Sequence, residues 1–379
     1  MWKSNKDTAW RPASGTRQRI RDAFLYCTGD MTEFRKLMNE KPFAMQLVEW
    51  SFRGMAQVIM VDNPLSGVLV LAALLVESPW QAVQGILGLL ASTFTAIIIG
   101  LDSTEVTRGL HGCNGMLVTL LMGVFSSSGD WYWWLLVPGC LAAATCTFLH
   151  SGLRPLLDPW DLPVSVFPFN TVILLYLSCT GSTNPYFPHH PAERPVAPEH
   201  SNNTHLQGLQ LLQGVVRGVG QIYACEELWP SLLILLAVLI GSPLLCIHAL
   251  LGSGAGLLAG LSVAVRCTWL YAGLSGFNGA LGCMAVGGLF FKFNWKTHLL
   301  SITSAFLSSY GDIALSNLLG TVGLPACSWA ATLTVSLMLL LTAHNLSSYR
   351  IPLGRVMFPE THQEAQAHRA GADMHSTDV

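Results

Sequence analysis

The chain has 379 residues, 51% hydrophobic and 11% charged, with a mean hydropathy of +0.46, whereas soluble domains carry about 25% charge. Twenty Lys and Arg against twenty-two Asp and Glu leave a net charge of −2, which supplies no basic surface for the phosphates of a nucleic acid. Most soluble classes and a nucleic-acid partner are thereby excluded, and the lipid bilayer is the implied surrounding.

In chain order, residues 1–42 hold nine of the twenty basic residues, from Lys3 to Lys41. By the positive-inside rule this segment is cytoplasmic, and its polar beginning lacks the apolar core and cleavage site of a signal peptide. Charge-free stretches follow at Ser78–Leu101, Trp131–Leu153, Leu228–Val265, Cys267–Phe291 and Ile313–Tyr349. Each suffices for a spanning helix, which takes about 20 residues. Backbone in hydrocarbon must satisfy its own hydrogen bonds, and the dense Leu, Ala, Gly, Ser and Thr suit packed helices rather than alternating barrel strands. The fold class predicted is an all-α polytopic membrane protein.

Spans are predicted at 43–61, 80–101, 110–128, 131–152 and 164–180, and again at 207–225, 243–265, 271–291, 297–318 and 325–344. Between the two sets, residues 181–206 are rich in Pro, His and Asn, contain Arg194 as their only basic residue, and carry the glycosylation acceptor Asn202 in Asn202-Asn203-Thr204. This loop is placed outside the cell. Five spans then separate it from each terminus, which puts the tail at 345–379 in the cytoplasm with the N-terminal segment. The Ser and Thr of residues 361–379 are candidate phosphate acceptors.

The chain repeats itself. Gln57 and Gln221 are 164 positions apart, as are Ser78-Pro79 and Ser242-Pro243, and as are Gly109-Leu110-His111-Gly112-Cys113-Asn114-Gly115 and Gly273-Leu274-Ser275-Gly276-Phe277-Asn278-Gly279. Leu162-Pro163 and Leu324-Pro325 are 162 apart. Because each unit has five spans, the second copy, 207–344, is inverted relative to the first, 43–180. Two apolar pieces too short to cross, Leu65–Val76 and Trp229–Ile240, are predicted as re-entrant half-helices, each ended by Ser-Pro, with ordinary kinked helices as the competing reading. Paired broken segments in inverted copies point to a midplane solute site on the pseudo-two-fold axis.

Gln57-Val58-Ile59-Met60-Val61-Asp62-Asn63-Pro64-Leu65-Ser66-Gly67 and Leu162-Pro163-Val164-Ser165-Val166-Phe167-Pro168-Phe169 resemble the motifs of the urea transporter family. So do Gly220-Gln221-Ile222-Tyr223-Ala224-Cys225 and Leu324-Pro325-Ala326-Cys327-Ser328-Trp329. The resemblance implies a plasma-membrane homotrimer with one pore per subunit, passing urea passively through a narrow filter between the repeats, with no cofactor. By matched positions it assigns the solute-receiving polar groups to Gln57, Gln221, Val166 and Ser328. Asn63, Pro64, Ser66 and Gly67 belong to its half-helix motif.

Chemistry supports a polar-edged slot, and Gln57 and Gln221 as its ends, independently. Urea is flat, with four N–H donors and one carbonyl acceptor, so it requires a slot with apolar walls and an edge of oxygen acceptors. Intramembrane amides are costly unless satisfied, and Gln57 and Gln221 stand at equivalent repeat positions facing one axis, with hydrogen bonding between helices as the competing reading. Met60, Leu110 and Leu274 are candidate walls, with ordinary packing as the competing reading, and the roles of Asn114 and Asn278 stay open. Three departures stand out: Val166 lacks the family's threonine hydroxyl, Ala330-Ala331 replace Pro-Phe, and Glu226-Glu227-Leu228-Trp229-Pro230-Ser231 replaces a sequence of the Asp-Asn-Pro-Trp-Thr-Gly type. These keep open a related pore for ammonia, water or urea analogues, or a non-conducting scaffold.

An enzyme is disfavoured, because neither H-E-x-x-H nor G-x-S-x-G occurs. Ten cysteines without C-x-x-C or zinc spacing read as packing residues, and no metal is predicted. His111, His150, His248 and His298 stand far apart in sequence and read as interhelical hydrogen-bonding groups. Asp62, Glu77, Asp312 and Glu226-Glu227 fall near predicted helix ends, which favours solvation over a proton path.

Overall fold

The computed structural model describes residues 27–127, 130–196, 206–341, 348–356 and 358–360. Asn202 and the tail from 361 lie outside the described residues. The first half contains α1 (Thr32–Asn39), α2 (Phe43–Gln57), α3 (Pro64–Glu77), α4 (Pro79–Ile98), α5 (Ser103–Thr107), α6 (Leu110–Ser127), α7 (Leu136–Leu157) and α8 (Phe167–Thr180). The second contains α9 (Gly208–Gly220), α10 (Leu228–Gly241), α11 (Pro243–Ser262), α12 (Cys267–Tyr271), α13 (Phe277–Met284, continued by a π turn to Leu289), α14 (Trp295–Leu319) and α15 (Trp329–Leu339). Among the described residues the only extended pairing is a bridge between Phe291 and Arg350.

Helix boundaries follow the sequence offset. The pairs α3 and α10, α4 and α11, and α5 and α12 begin and end 164 positions apart, and α8 and α15 begin 162 apart. The cause is local chemistry repeated. Pro79 and Pro243 occupy the first helical position, where a missing N–H is harmless. Ser78 and Ser242 cap the same turns at φ/ψ of −157/115 and −158/117, their hydroxyls accepting from Gln81 N at 3.4 Å and Leu245 N at 3.1 Å. Left-handed backbone recurs too, at Met60 and Ala224, at Ser165 and Cys327, and at Gly109 and Gly273. At the last pair a Cβ would lie 2.3 Å from Gly54 N and 2.4 Å from Gly218 N, so close helix approach as well as φ demands glycine.

Pro79–Ile98, Trp133–Trp160 and Pro243–Ser262 are each long and apolar enough to cross a bilayer, and Gly208–Tyr223 with Leu228–Gly241 form a pair bent by 76°. By length and composition alone that makes three such helices among the described residues, or four if the bent pair is one span. The apolar helices α3, α6, α8, α13 with its π turn, and α15 are shorter. The chain reaches α8 and α15 through non-helical Leu162–Ser165 and Leu324–Cys327, so part of each predicted span is a backbone loop inside the bundle.

Contacts sort the connections to two ends. At one end Arg35 and Arg108 reach Asp62, Arg154 reaches Glu105 and Asp158, and Arg350 reaches Asp161. At the other, His190 N donates to Phe125 O at 2.8 Å, Ala192 N to Gly323 O at 2.9 Å, and Arg266 pairs with Glu193 at 2.7 Å. The segment preceding α2 and the residues from 350 thus share an end opposite the segment 181–196.

Helices stand where the half-helices are expected, as α3 and α10, and hydrogen bonds close the chain on itself around α2 and α9. Asn63, just after α2, donates to Cys27 O at 2.9 Å and Gly29 O at 2.7 Å, and Arg53 donates to Asp30 O at 2.9 Å, all before α2. Around α9, Gln207 N, Arg217 and Gln221 all bond Tyr271 or Ala272, at 3.0, 3.1 and 3.0 Å.

The halves meet along α3 and α10. Ser66 Oγ donates to Ala237 O at 2.7 Å, and Tyr223 OH donates to Met55 O at 2.6 Å. Gly67 lets α3 lie on α2, since a Cβ there would sit 1.9 Å from Phe52 O.

Candidate functional site

One cavity of about 1290 Å³ lies between the halves and takes lining from both. It exceeds the ~300–1,000 Å³ usual for a small-ligand pocket. Gln57, Met60, Leu110, Val166, Gln221, Leu274 and Ser328, singled out from the sequence, all line it. Asn63, Pro64, Ser66 and Gly67 build the start of α3 instead: Asn63 Oδ1 accepts from Leu65 N at 2.8 Å and Ser66 N at 3.2 Å, and Pro64 takes the first helical position.

The lining is built from matched parts. Gln57 Nε2 donates to Arg108 O at 3.2 Å and Gln221 Nε2 to Ala272 O at 3.0 Å, acceptors that are themselves 164 apart. With its N–H so occupied, each amide keeps Oε1 as an acceptor for a solute. Val58, Met60 and Leu110 stand near Gln57, and Ile222, Ala224 and Leu274 are their counterparts at the same offset. Midway, Val166 and Ser328 cap α8 and α15 at nearly equal backbone angles, and Phe167 meets Trp329 edge to face at 5.6 Å. Ser328 offers a hydroxyl where Val166 offers methyl groups.

Asn114 and Asn278 hold these loops. Asn114 donates to Ser165 O at 3.0 Å and accepts from Phe169 N at 3.1 Å; Asn278 donates to Cys327 O at 2.9 Å and accepts from Ala331 N at 3.0 Å. Each buried amide substitutes for helix hydrogen bonding where the backbone is left-handed. Asn114→Ala should leave a carbonyl and an N–H unpaired, at about 1–3 kcal/mol each. A lowered melting temperature of the detergent-solubilised protein checks this. An unchanged melt would remove the bracing role.

Sequence reasoning missed Asn170 and Thr332, 162 positions apart, which join the halves at mid-cavity. Asn170 Oδ1 accepts from Ser328 N at 3.0 Å and from its hydroxyl at 3.2 Å, while Asn170 Nδ2 donates to Thr332 Oγ1 at 3.3 Å. The repeat offset alone links the two positions, but their residue types differ.

The cavity mouths differ in charge. At one, Arg53 Nη1 lies 2.9 Å from Asp62 Oδ1, Arg35 2.8 Å and Arg108 3.2 Å from Oδ2. Burial would raise the Asp62 carboxyl, but Arg53, Arg35 and Arg108 outweigh it and hold it below the ordinary range. The counterpart of Asp62 is Glu226. There burial, then Glu77 and Glu227, push the carboxyl up, and the Glu226 and Glu227 N–H groups donate to Glu77 at 3.1 and 3.3 Å.

Two readings are corrected. The histidines do not stand singly: His111 and His150 have ring centroids 4.7 Å apart beside Glu105, and His298 Nδ1 lies 3.4 Å from His248 Nε2. Residues 39 and 50 positions apart meet because adjacent helices bring them together. Asp312 is not at a solvated end either. It is 1% exposed within α14, and its Oδ2 has no hydrogen-bond partner.

An all-helical bundle with several apolar helices and one cavity lined by matched halves is a multi-pass membrane protein with a solute pathway. The chain belongs to the urea transporter family, whose model matches residues 48–343. Urea transporter 1 of Ovis aries and of Capra hircus are each 42% identical to it over 349 residues, covering 92% of this chain and 91% of the relative. Urea transporter 1 of Rattus norvegicus is 43% identical over 335 residues, covering 88% and 87%.

Proposed function

We propose that this chain transports urea across a membrane as a passive channel. The observation that carries the reading is the cavity between the halves, in which both place an amide, apolar walls and a residue capping a helix at equivalent positions. Apolar walls at Met60, Leu110 and Leu274 exclude hydrated ions, while Gln57, Gln221 and Ser328 supply acceptors that replace shed water. Leaving a urea N–H unpaired costs about 1–3 kcal/mol, so each acceptor lowers the barrier. Val166 removes one such site. Weak, repeated sites let the solute leave again.

Two inverted five-span repeats account for the matched elements, with α2 and α9 as the re-entrant segments and α3 and α10 as crossings. Five crossings still separate the termini from residues 181–196, in keeping with cytoplasmic termini. The subunit forms a homotrimer in the plasma membrane, and the exposed Phe43, Met45 and Val48 of α2 give it an apolar lateral face.

Radiolabelled urea influx into liposomes holding the purified protein tests the reading. Rapid uptake without an ion gradient is expected, and Val166→Thr should match or exceed it. Uptake no faster than empty liposomes by both proteins would defeat the urea reading. Parallel ammonia, water and acetamide fluxes would then identify the cargo, or a scaffold if all are absent.

A further inference from the structure

The transport reading makes no use of the cluster formed by Glu105 on α5, His111 on α6 and His150 on α7. One ligand atom from each lies within 4.8 Å of the others. Glu105 Oε2 is 3.5 Å from His111 Nε2 and 3.9 Å from His150 Nε2. Ligands about 2.0–2.1 Å from a tetrahedral zinc ion are separated by roughly 3.3 Å, so a small closure completes three corners. A water molecule would supply the fourth. Arg154 Nη1 holds the other carboxylate oxygen at 2.7 Å, which orients Glu105 to offer Oε2 alone.

The cluster is also under-satisfied. His111 is 2% exposed and His150 8%, yet Nδ1 of each ring has no hydrogen-bond partner, and Nε2 of His111 meets the Glu105 carboxylate only at 3.5 Å. Buried polar atoms in native proteins are nearly always paired. Nor does the fold require these side chains. At the repeat offsets the second half carries Trp269, Ser275 and Asp312 in their places, and α12, α13 and α14 form there all the same.

We propose that Glu105, His111 and His150 form a binding site for a divalent transition-metal ion of the zinc type. Two imidazoles and one carboxylate suit zinc better than magnesium or calcium, which prefer all-oxygen shells. Glu105 and His150 line the cavity mouth, and the residue closing α5 is Arg108, whose carbonyl holds Gln57. An ion here pins α5 to α6 and α7 and stiffens that mouth, so occupancy should slow solute passage.

Equilibrium dialysis of the purified full chain against Zn²⁺, with Mg²⁺ as comparison, is the test. One saturable Zn²⁺ per chain is expected, weakened by about tenfold or more in His111→Gln and in Glu105→Gln, a loss at least of the size seen for disturbed metal shells. Urea uptake by the native chain should fall at least twofold with Zn²⁺ and recover with chelator, while His111→Gln ignores the ion. Because either variant can misfold, Co²⁺ spectra of the native protein give a second reading: nitrogen and oxygen ligation without a thiolate band. No saturable ion, equal binding by folded variants, or a thiolate band would overturn the site. Saturable binding that leaves uptake unchanged would overturn the control of passage.

Discussion

Arg53→Met is expected to be the most destabilising single change in the first half, by about 3–5 kcal/mol, the cost of breaking a buried ion pair by removing one partner. Arg53 is 0% exposed, pairs with Glu49 one turn back, and donates through Nη1 to Asp62 Oδ1 at 2.9 Å, Asp62 O at 2.7 Å and Asp30 O at 2.9 Å. One guanidinium therefore fastens the chain before α2 to the chain after it. Without it, two carboxylates and two carbonyls lose their common donor. Folded proteins are stable by only about 5–15 kcal/mol, so the variant should show a much lower melting temperature and a poor yield of monodisperse protein. A melt within a degree or two of the native chain would refute the assignment.

The same network sets an acid limit. Asp62 is held below the ordinary carboxylate range, and that range itself lies near pH 4. A depressed carboxyl contributes stability that is complete above that range and is lost as pH falls through its folded value. The melting temperature should therefore change little from this group between neutral pH and about 5, then drop below about 4. Asp62→Asn should flatten that acid drop.

The largest effect on passage is expected from Leu110→Trp. Leu110 opens α6 immediately after the left-handed Gly109 and lines the cavity with Val58 and Met60, beside Gln57. An indole there fills the space a planar solute must use, and the neighbouring backbone has no room to retreat, because Gly109 already abuts Gly54. Urea influx should fall to the level of empty liposomes. Leu110→Ala should retain it, which separates blockage from loss of the leucine itself. Leu274→Trp, at the matched position, should block equally. Undiminished influx through either tryptophan variant would mean that the leucines are packing residues and that solute passes elsewhere.

Much of this arrangement was legible in the sequence because it depends on residues close together in the chain. Ser-Pro announces a capped helix start wherever it falls, and it fell twice at one offset. The Gly-Leu-x-Gly-x-Asn-Gly pair located the glycine approach and the bracing asparagine, though not what the asparagine holds. What could not be read depends on distant partners. α2 carries Glu49 and Arg53 where α3 is apolar up to Glu77, but that the chain after α2 meets the residues before it depends on Asn63 reaching Cys27 and Gly29, 36 and 34 positions back. His111 and His150 look isolated until α6 and α7 pack together. Asp312 looks like an end residue because hydropathy places span limits only coarsely, whereas α14 runs from Trp295 to Leu319.

The seam between the halves bears on kinetics. A carrier that exposes its site alternately must rock one half past the other in every cycle, breaking the contacts between them. Here Ser66 of α3 is hydrogen-bonded to Ala237 of α10, Tyr223 to Met55, and Asn170 to both Ser328 and Thr332, each bond crossing from half to half. A seam cross-braced by buried bonds does not rock cheaply. Unlabelled urea on the far side should therefore produce no trans-acceleration of labelled influx and no counterflow.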